Sequence, residues 1–367
     1  MQVGSKYYES LWFDMNRPGE VRVIDQQRLP WEFQVVVLES VEDVYIAIRE
    51  MTVRGAPVIG VLAAFGMYLN AYNHADDPQL RDRLDHAAEY LISSRPTAVN
   101  LAYAVRKQQK VYRILSDSSA IPAALLKKAL EMAEMEKEAC RRIGEFGFSL
   151  IRELAEKKQG KVVNILTHCN AGWLATIDYG TALAPVYEAH KRGIPVHVWV
   201  DETRPRNQGA RLTTWELDQA GVPYTLIADN TGGHLMQHGL VDIVLVGSDR
   251  TTRTGDTANK IGTYLKALAA HDNHIPFYVS LPVSTIDTEL QDGVRDIDIE
   301  QRNAREVFEI EGMSGPKVKK INIVPPETPV TNYAFDVTPA RLITGLITEK
   351  GICKASEKEI ITLLNRT

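Results

Sequence analysis

Three cysteines, Cys140, Cys169 and Cys353, are spread through the chain with no CxxC pair. That spacing excludes a cysteine-based zinc site and argues against a disulfide framework. What remains is thiol chemistry, and one context suits it. Thr167-His168-Cys169-Asn170-Ala171-Gly172 reads as the end of an apolar strand turning into a glycine-rich helix entry. Amide dipoles at such a turn lower a thiol pKa and make thiolate available as a base or nucleophile. A small buried core residue is the equal alternative for Cys169, and the reading preferred for Cys140 and Cys353. Asp249 closes the apolar run Ile243–Val246 in the sequence Gly247-Ser248-Asp249-Arg250. A carboxyl there is partly desolvated, which raises its pKa towards the range useful for proton transfer. A helix cap or a partner for Arg250 accounts for it equally well.

Cationic residues stand at four expected helix entries: Arg54-Gly55-Ala56-Pro57, Ser94-Arg95-Pro96-Thr97, Gln208-Gly209-Ala210-Arg211 and Asn259-Lys260. Glycine lets backbone amides approach an anion, and proline suits a first helical turn. Each alone reads as an ordinary cap with a solvated cation; together they suggest a phosphate pocket at a domain interface. His234 and His238 are spaced to share a helix face, but His-Leu-Met-Gln-His lacks the glutamate of HExxH, and no metal is expected there. Neither GxGxxG nor GxxxxGK[ST] occurs, so no dinucleotide or Walker-type site is indicated.

The elements that must position these groups change character near residue 150. Before it, apolar spacing is mainly helical (Val44, Ile48 and Met51 on one face, Val58 to Leu69 apolar all round, Leu101–Ile114, and Pro122 to about Cys140), preceded by strand-like Val21–Ile24 and Phe33–Leu38. After it, strands Val162–Thr167, Val196–Val200, Tyr224–Ala228, Ile243–Val246 and Phe277–Leu281 alternate with helices at Gly180–Lys191, Ala210–Ala220, Gly232–His238 and Asn259–Ala270. This predicts an α/β protein: a mainly helical domain with a small β element over 1–150, and a parallel, doubly wound domain over 151–367. Asp287–Pro329, richer in charge and proline, reads as extended loops or edge structure, and Thr338–Leu364 as helix. The 367 residues carry 42 Lys and Arg against 47 Asp and Glu, a formal charge of -5 that gives no global reason to bind nucleic acid or anionic lipid. No signal peptide or membrane-spanning run is read, so a cytoplasmic protein is expected. In a parallel sheet, ligands bind beyond the carboxyl ends of the strands. Cys169 and Asp249 both fall there.

Taken together, these stretches resemble the methylthioribose-1-phosphate isomerase family. The matching motifs are Thr52–Gly60 (TVRGAPVIG), Ser94–Leu101 (SRPTAVNL), Leu166–Gly172 (LTHCNAG), Asp201–Leu212 (DETRPRNQGARL), Gly247–Arg250 (GSDR), Gly255–Leu265 (GDTANKIGTYL) and Asn332–Ile347 (NYAFDVTPARLITGLI). The resemblance runs from about Arg22 to Gly351. It implies conversion of 5-methylthioribose 1-phosphate to 5-methylthioribulose 1-phosphate in methionine salvage, and an N-terminal helical domain joined to a Rossmann-like one. Members of the family are usually homodimers. It also implies that Asp249 is the general acid, that Cys169 supports the transition state, and that Arg54, Gly55, Ala56, Arg95, Gln208, Asn259 and Lys260 hold the phosphate and sugar. No metal or organic cofactor is called for. An isomerase of 5-deoxyribose 1-phosphate is the nearest alternative. The family also resembles, in fold, non-catalytic regulatory subunits of the translation-initiation exchange factor. Ser248 departs from the commoner Thr or Ala, and Asp287–Pro329 matches less clearly.

Overall fold

The computed structural model describes residues 1–95 and 98–366. Pro96 and Thr97, part of one expected helix entry, lie outside the described residues. A three-stranded antiparallel sheet, β1 (Leu11–Phe13), β2 (Val21–Ile24) and β3 (Val35–Leu38), begins the first half. Five helices follow: α1 (Val41–Arg49), α2 (Ala56–Asn73), α3 (Leu80–Ser94), α4 (Val99–Ile114) and α5 (Ile121–Lys157). Ser40 and Asp43 cap α1 reciprocally, each side chain accepting from the other's backbone amide. Helix α2 is buried without a break from Ala56 to Ala71, as its all-round apolar sequence requires, and the other four helices pack around it.

At 37 residues, α5 is about 55 Å long and belongs to both halves. Its first turns place Ile121, Leu125 and Ala129 in the core around α2, and its last turns place Ile143, Phe148 and Ile151 under a large sheet.

That sheet contains β4 (Val163–Thr167), β5 (Val196–Asp201), β6 (Tyr224–Ile227) and β7 (Ile243–Val246). Beyond β7 the chain forms a short excursion, β8 (Arg250–Thr252) and β9 (Thr257–Lys260), and then returns to the sheet as β10 (Phe277–Ser280). The spatial order, completed by Gly345–Thr348 and Gly351–Cys353, runs third, second, first, fourth, fifth, sixth, seventh in chain order. All pairs are parallel except the last. Ile165, Ile243 and Leu245 join the core with α5 and α6 (Ala184–Lys191), while Leu166, Val244 and Val246 join the one with α8 (Thr231–Gln237) and α9 (Thr263–Asp272). Burial on both faces is why these strands read as continuous apolar runs. Between them α7 (Thr214–Gln219) follows a helical turn, Gly209–Thr213.

Three expected elements differ. The helix foreseen from Asn259 begins at Thr263, and Asn259 and Lys260 lie in strand β9, paired with Phe335–Thr338. The helix foreseen from Gly180 begins at Ala184, after an irregular loop. The helix foreseen over Thr338–Leu364 is mainly two strands, with a single 3-10 turn at Ala340–Leu342 and α-helix only at Glu357–Leu364. Gly345–Thr348 is buried along its whole length, and so short an apolar run carries no periodicity to separate strand from helix. Within Asp287–Pro329 an antiparallel hairpin, Glu309–Ser314 with Lys317–Asn322, projects with its second strand wholly exposed.

Candidate active site

Strands β4 and β7 are neighbours at the point where the order of the sheet reverses. Their connections leave in opposite directions there, opening a crevice beyond the carboxyl ends. Cys169 follows β4 and Asp249 follows β7. The Cys169 backbone is left-handed (φ 65°) and held on both sides: its amide donates to Thr203 Oγ1 at 2.9 Å, and its carbonyl accepts from Thr213 Oγ1 at 2.7 Å. The Asp249 amide donates to the Ala258 carbonyl at 3.0 Å, which fixes Asp249 against the strand carrying Asn259 and Lys260. One cleft is lined by Arg54, Gly55, Ala56, Arg95, Cys169, Gln208, Asp249, Asn259 and Lys260, the nine residues that the family resemblance implies for binding and catalysis, whereas Arg211 of the third expected helix entry pairs with Glu311 instead.

The first half reaches the cleft through the turn before α2. Gly55 (φ 113°) packs so closely that a Cβ would sit 2.2 Å from the Ala175 carbonyl oxygen, so no other residue fits. This contact presses Arg54 into the second half. Its Nη1 lies 3.8 Å from Cys169 Sγ, and its Nη2 donates to the Asn170 carbonyl at 2.8 Å and to Asn170 Oδ1. Lys260 donates to the Ala334 carbonyl at 2.9 Å and lies 4.6 Å over the Phe335 ring. Burial pushes the Lys260 ammonium below its ordinary pKa; Cys169 and Asp249 pull it back, and Arg95 and Arg302 push it further down. Burial likewise raises the Asp249 carboxyl, more than Lys260, Arg95 and Arg54 together lower it. Three buried polar atoms on the lining residues, Arg54 Nε, Arg95 Nε and Gln208 Oε1, have no hydrogen-bond partner among the described residues. Buried polar groups left unpaired are costly, so the complement these walls call for is a ligand with an anionic group for the two guanidinium donors and a hydroxyl to donate to the Gln208 oxygen.

A family model for the initiation factor 2 subunit family matches residues 52–355. A methylthioribose-1-phosphate isomerase of Desulfatibacillum aliphaticivorans is 53% identical over 363 residues, covering 99% of this chain and 98% of that protein. The chain belongs to the methylthioribose-1-phosphate isomerase family. Among solved structures, 5-methylthioribose 1-phosphate isomerase from Pyrococcus horikoshii OT3 superposes with a TM-score of 0.82 at 38% identity, covering 98% of this chain and 96% of that one. The translation initiation factor eIF-2B, subunit delta, from A. fulgidus matches with a TM-score of 0.80 at 36% identity, over 98% of this chain and 100% of that one. Both isomerase and initiation-factor names therefore attach to this one scaffold, and the family alone does not say what a given cleft does.

This family member brings further residues into the cleft that its sequence did not single out. Arg206 and Arg302 line it. They belong to a chain of ion pairs in which Glu300 bridges Arg95 (3.2 Å) and Arg302 (2.7 Å), and Glu306 bridges Arg302 (3.0 Å) and Arg206 (2.8 Å). Arg206 is the second arginine of the quoted DETRPRNQGARL stretch and was legible there. Arg302 lies in the weakly matching segment, where only the alternating charges of Glu300, Arg302 and Glu306 hinted at it. His234, on α8, and His238, just past its end, are exposed neighbours with ring centroids 4.2 Å apart, and neither lines the cleft. Among the described residues, His168, Asp201 and Asp229 offer donor atoms within 4.8 Å of one another. The Lys266 ammonium, 3.3 Å from Asp201 Oδ2, already supplies a cation in that cluster.

Proposed function

We propose that this chain converts 5-methylthioribose 1-phosphate to 5-methylthioribulose 1-phosphate, an aldose-to-ketose isomerisation in methionine salvage, in a cleft between units formed by residues 1–150 and 151–367. The observation that carries this reading is the convergence of Asp249 and Cys169, from two adjacent strand ends, on one cleft with Arg54, Arg95 and Lys260. The full-length likeness to proteins named for that reaction supports it.

A sugar phosphorylated on its anomeric oxygen does not open to the free aldehyde, so the enzyme must break the ring bond itself. Asp249, its pKa raised by burial, donates its proton to the ring oxygen as the C1–O4 bond breaks. The hydrogen on C2 then moves to C1, and the 2-hydroxyl becomes the ketone by giving up its proton, which the Asp249 carboxylate is free to take. Two routes fit the hydrogen transfer. In one, Cys169 thiolate removes the C2 proton and returns it to C1; in the other, C2 passes hydride directly to C1 while Cys169 shapes the electrostatics. Arg54, Arg95 and Lys260 hold the phosphate, which fixes the sugar's orientation and offsets its charge. Neither route calls on a metal or organic cofactor. The protein acts in the cytoplasm as a homodimer, and light scattering on the purified chain measures the dimer directly.

The deciding experiment incubates purified protein, without metal or nucleotide, with 5-methylthioribose 1-phosphate and 5-deoxyribose 1-phosphate in parallel. Ketose formation is followed by NMR. Higher kcat/KM for the first substrate is the expected result. Comparable turnover of both replaces it with a broader 5-deoxypentose role, and no ketose from either favours the binding role of the initiation-factor relatives. Solvent label at C1 of the product marks the proton route.

A further inference from the structure

The residue before Cys169 is a fully enclosed histidine. His168 is 1% exposed, and both of its ring nitrogens are engaged. Nε2 lies 2.8 Å from the Ile261 carbonyl oxygen, and Nδ1 lies 2.9 Å from Asp201 Oδ2. A carbonyl oxygen only accepts, so Nε2 carries a hydrogen. Asp201 Oδ2 also faces the Lys266 ammonium at 3.3 Å, so that oxygen bears negative charge rather than a proton, and Nδ1 must donate as well. Two accepting oxygens on opposite sides of the ring call for a hydrogen on each nitrogen. The local charge agrees: carboxylate oxygens of Asp201 and Asp229 lie 2.9 Å and 4.0 Å from Nδ1.

These bonds join the two sides of the cleft. On one side, the Cys169 amide donates to Thr203 Oγ1, and that hydroxyl donates to the carbonyl of Asp201, the residue whose side chain holds His168. On the other, Ile261 follows Lys260 directly. Its amide donates to the Ala334 carbonyl, the same oxygen that receives Lys260 Nζ. We propose that His168 is a positioning residue, a doubly protonated strut that sets Cys169 at a fixed separation from Lys260. The role rests on the proposed isomerisation, in which Lys260 holds the phosphate and Cys169 acts at C2. The sequence alone presents His168 as a neighbour of the thiol; the strut exists because β5 and the turn after β9 supply two acceptors on opposite sides of its ring.

Neutron diffraction of the wild-type protein from deuterated solution at pH 8 tests the protonation. Deuterium on both ring nitrogens of His168 is expected, and deuterium on one alone overturns the proposal. The second test is His168→Gln, whose amide reaches one acceptor while its oxygen cannot donate to Asp201. With a strut lost, kcat falls about 10- to 100-fold while KM stays within about threefold, since a shift of the order of 1 Å in reacting groups costs that much. Unchanged kcat in the folded variant, or a raised KM with kcat intact, overturns the positioning role. If the variant does not fold, the deuterium pattern still decides. If the wild-type protein shows no isomerase activity, the proposed function fails, and the positioning role with it, whereas the deuterium pattern judges the imidazolium assignment separately.

Discussion

At Asp249, chemistry and stability pull against each other. Its carboxyl must hold a proton near neutral pH to act as an acid, and burial raises its pKa in that direction against the pull of Lys260, Arg95 and Arg54. A carboxyl raised in this way contributes stability that is fully present below its unfolded value and lost as pH climbs through the folded one. Asp249→Asn keeps the neutral form at every pH. It is expected to unfold at a higher temperature than wild type at pH 8 while losing at least about 100-fold in kcat, with a smaller change in KM. Paired thermal melts and kinetics check this; a variant that keeps its turnover removes Asp249 from the acid role. Wild-type kcat is expected to fall as pH rises through the Asp249 pKa, because the acid is then ionised. Cys169→Ser is expected to lose turnover as well, without the gain in stability, since it adds a hydroxyl at a site that is 8% exposed.

The loop from Thr167 to Thr176 works as a unit because one carboxylate organises it. Glu216, on α7, accepts from Asn170 Nδ2 and the Leu174 amide through Oε1, and from the Trp173 amide and the Tyr187 hydroxyl through Oε2, at 2.8 to 3.0 Å. Asn170 in turn receives Arg54, so the guanidinium beside the thiol is aimed from α7. Burial raises the Glu216 carboxyl, and its donors, with Arg54, oppose the rise. Gly172 faces this carboxylate so closely that a Cβ would lie 1.6 Å from Oε2. The oxygen has nowhere to go without abandoning its bonds. Gly172→Ala is therefore expected to destabilise the fold by about 2 kcal/mol or more and to lower kcat/KM steeply, as read by chemical denaturation and initial rates. A variant with normal stability would show that the loop can relax, and that Glu216 does not set it.

Helix α5 ties the two halves of the molecule together, and a buried carboxyl sits near its middle. Glu136 is 8% exposed, receives the Cys140 thiol at 3.3 Å, and has its pKa pushed up to about 7 by burial, with Glu349 adding to the rise. Its contribution to stability is fully present below the unfolded value of 4.5 and disappears as pH rises to about 7. Glu136→Gln removes this dependence. The loss of stability between pH 5 and pH 8 is expected to shrink by roughly 2 to 3 kcal/mol relative to wild type, measured by denaturant titration at both pH values. An unchanged pH dependence would mean that Glu136 ionises freely in the folded protein. The Cys140 thiol, buried beside this carboxylate, is itself pushed well above its ordinary pKa, which agrees with the packing role read for it from the sequence.

Local pattern was enough for much of this protein. Unbroken apolar residues marked α2 and the central strands, because burial on all sides leaves no polar face to write. Polar groups collected after β4 and β7 marked where a site should be, because strand ends in a parallel sheet face a crevice. Other features depended on pairings across long stretches of chain. Asn259 and Lys260 resemble a helix entry until Phe335–Thr338 pairs beside them and makes them strand. Gly345–Thr348 is too short to show a period, and a place beside β10 decides its state. Arg302 enters the cleft, and His168 becomes a strut, only because partners from distant segments supply carboxylates and a carbonyl at hydrogen-bonding distance. Residue type and local period are written in consecutive positions, whereas charge partners and strand neighbours are fixed when the chain closes on itself.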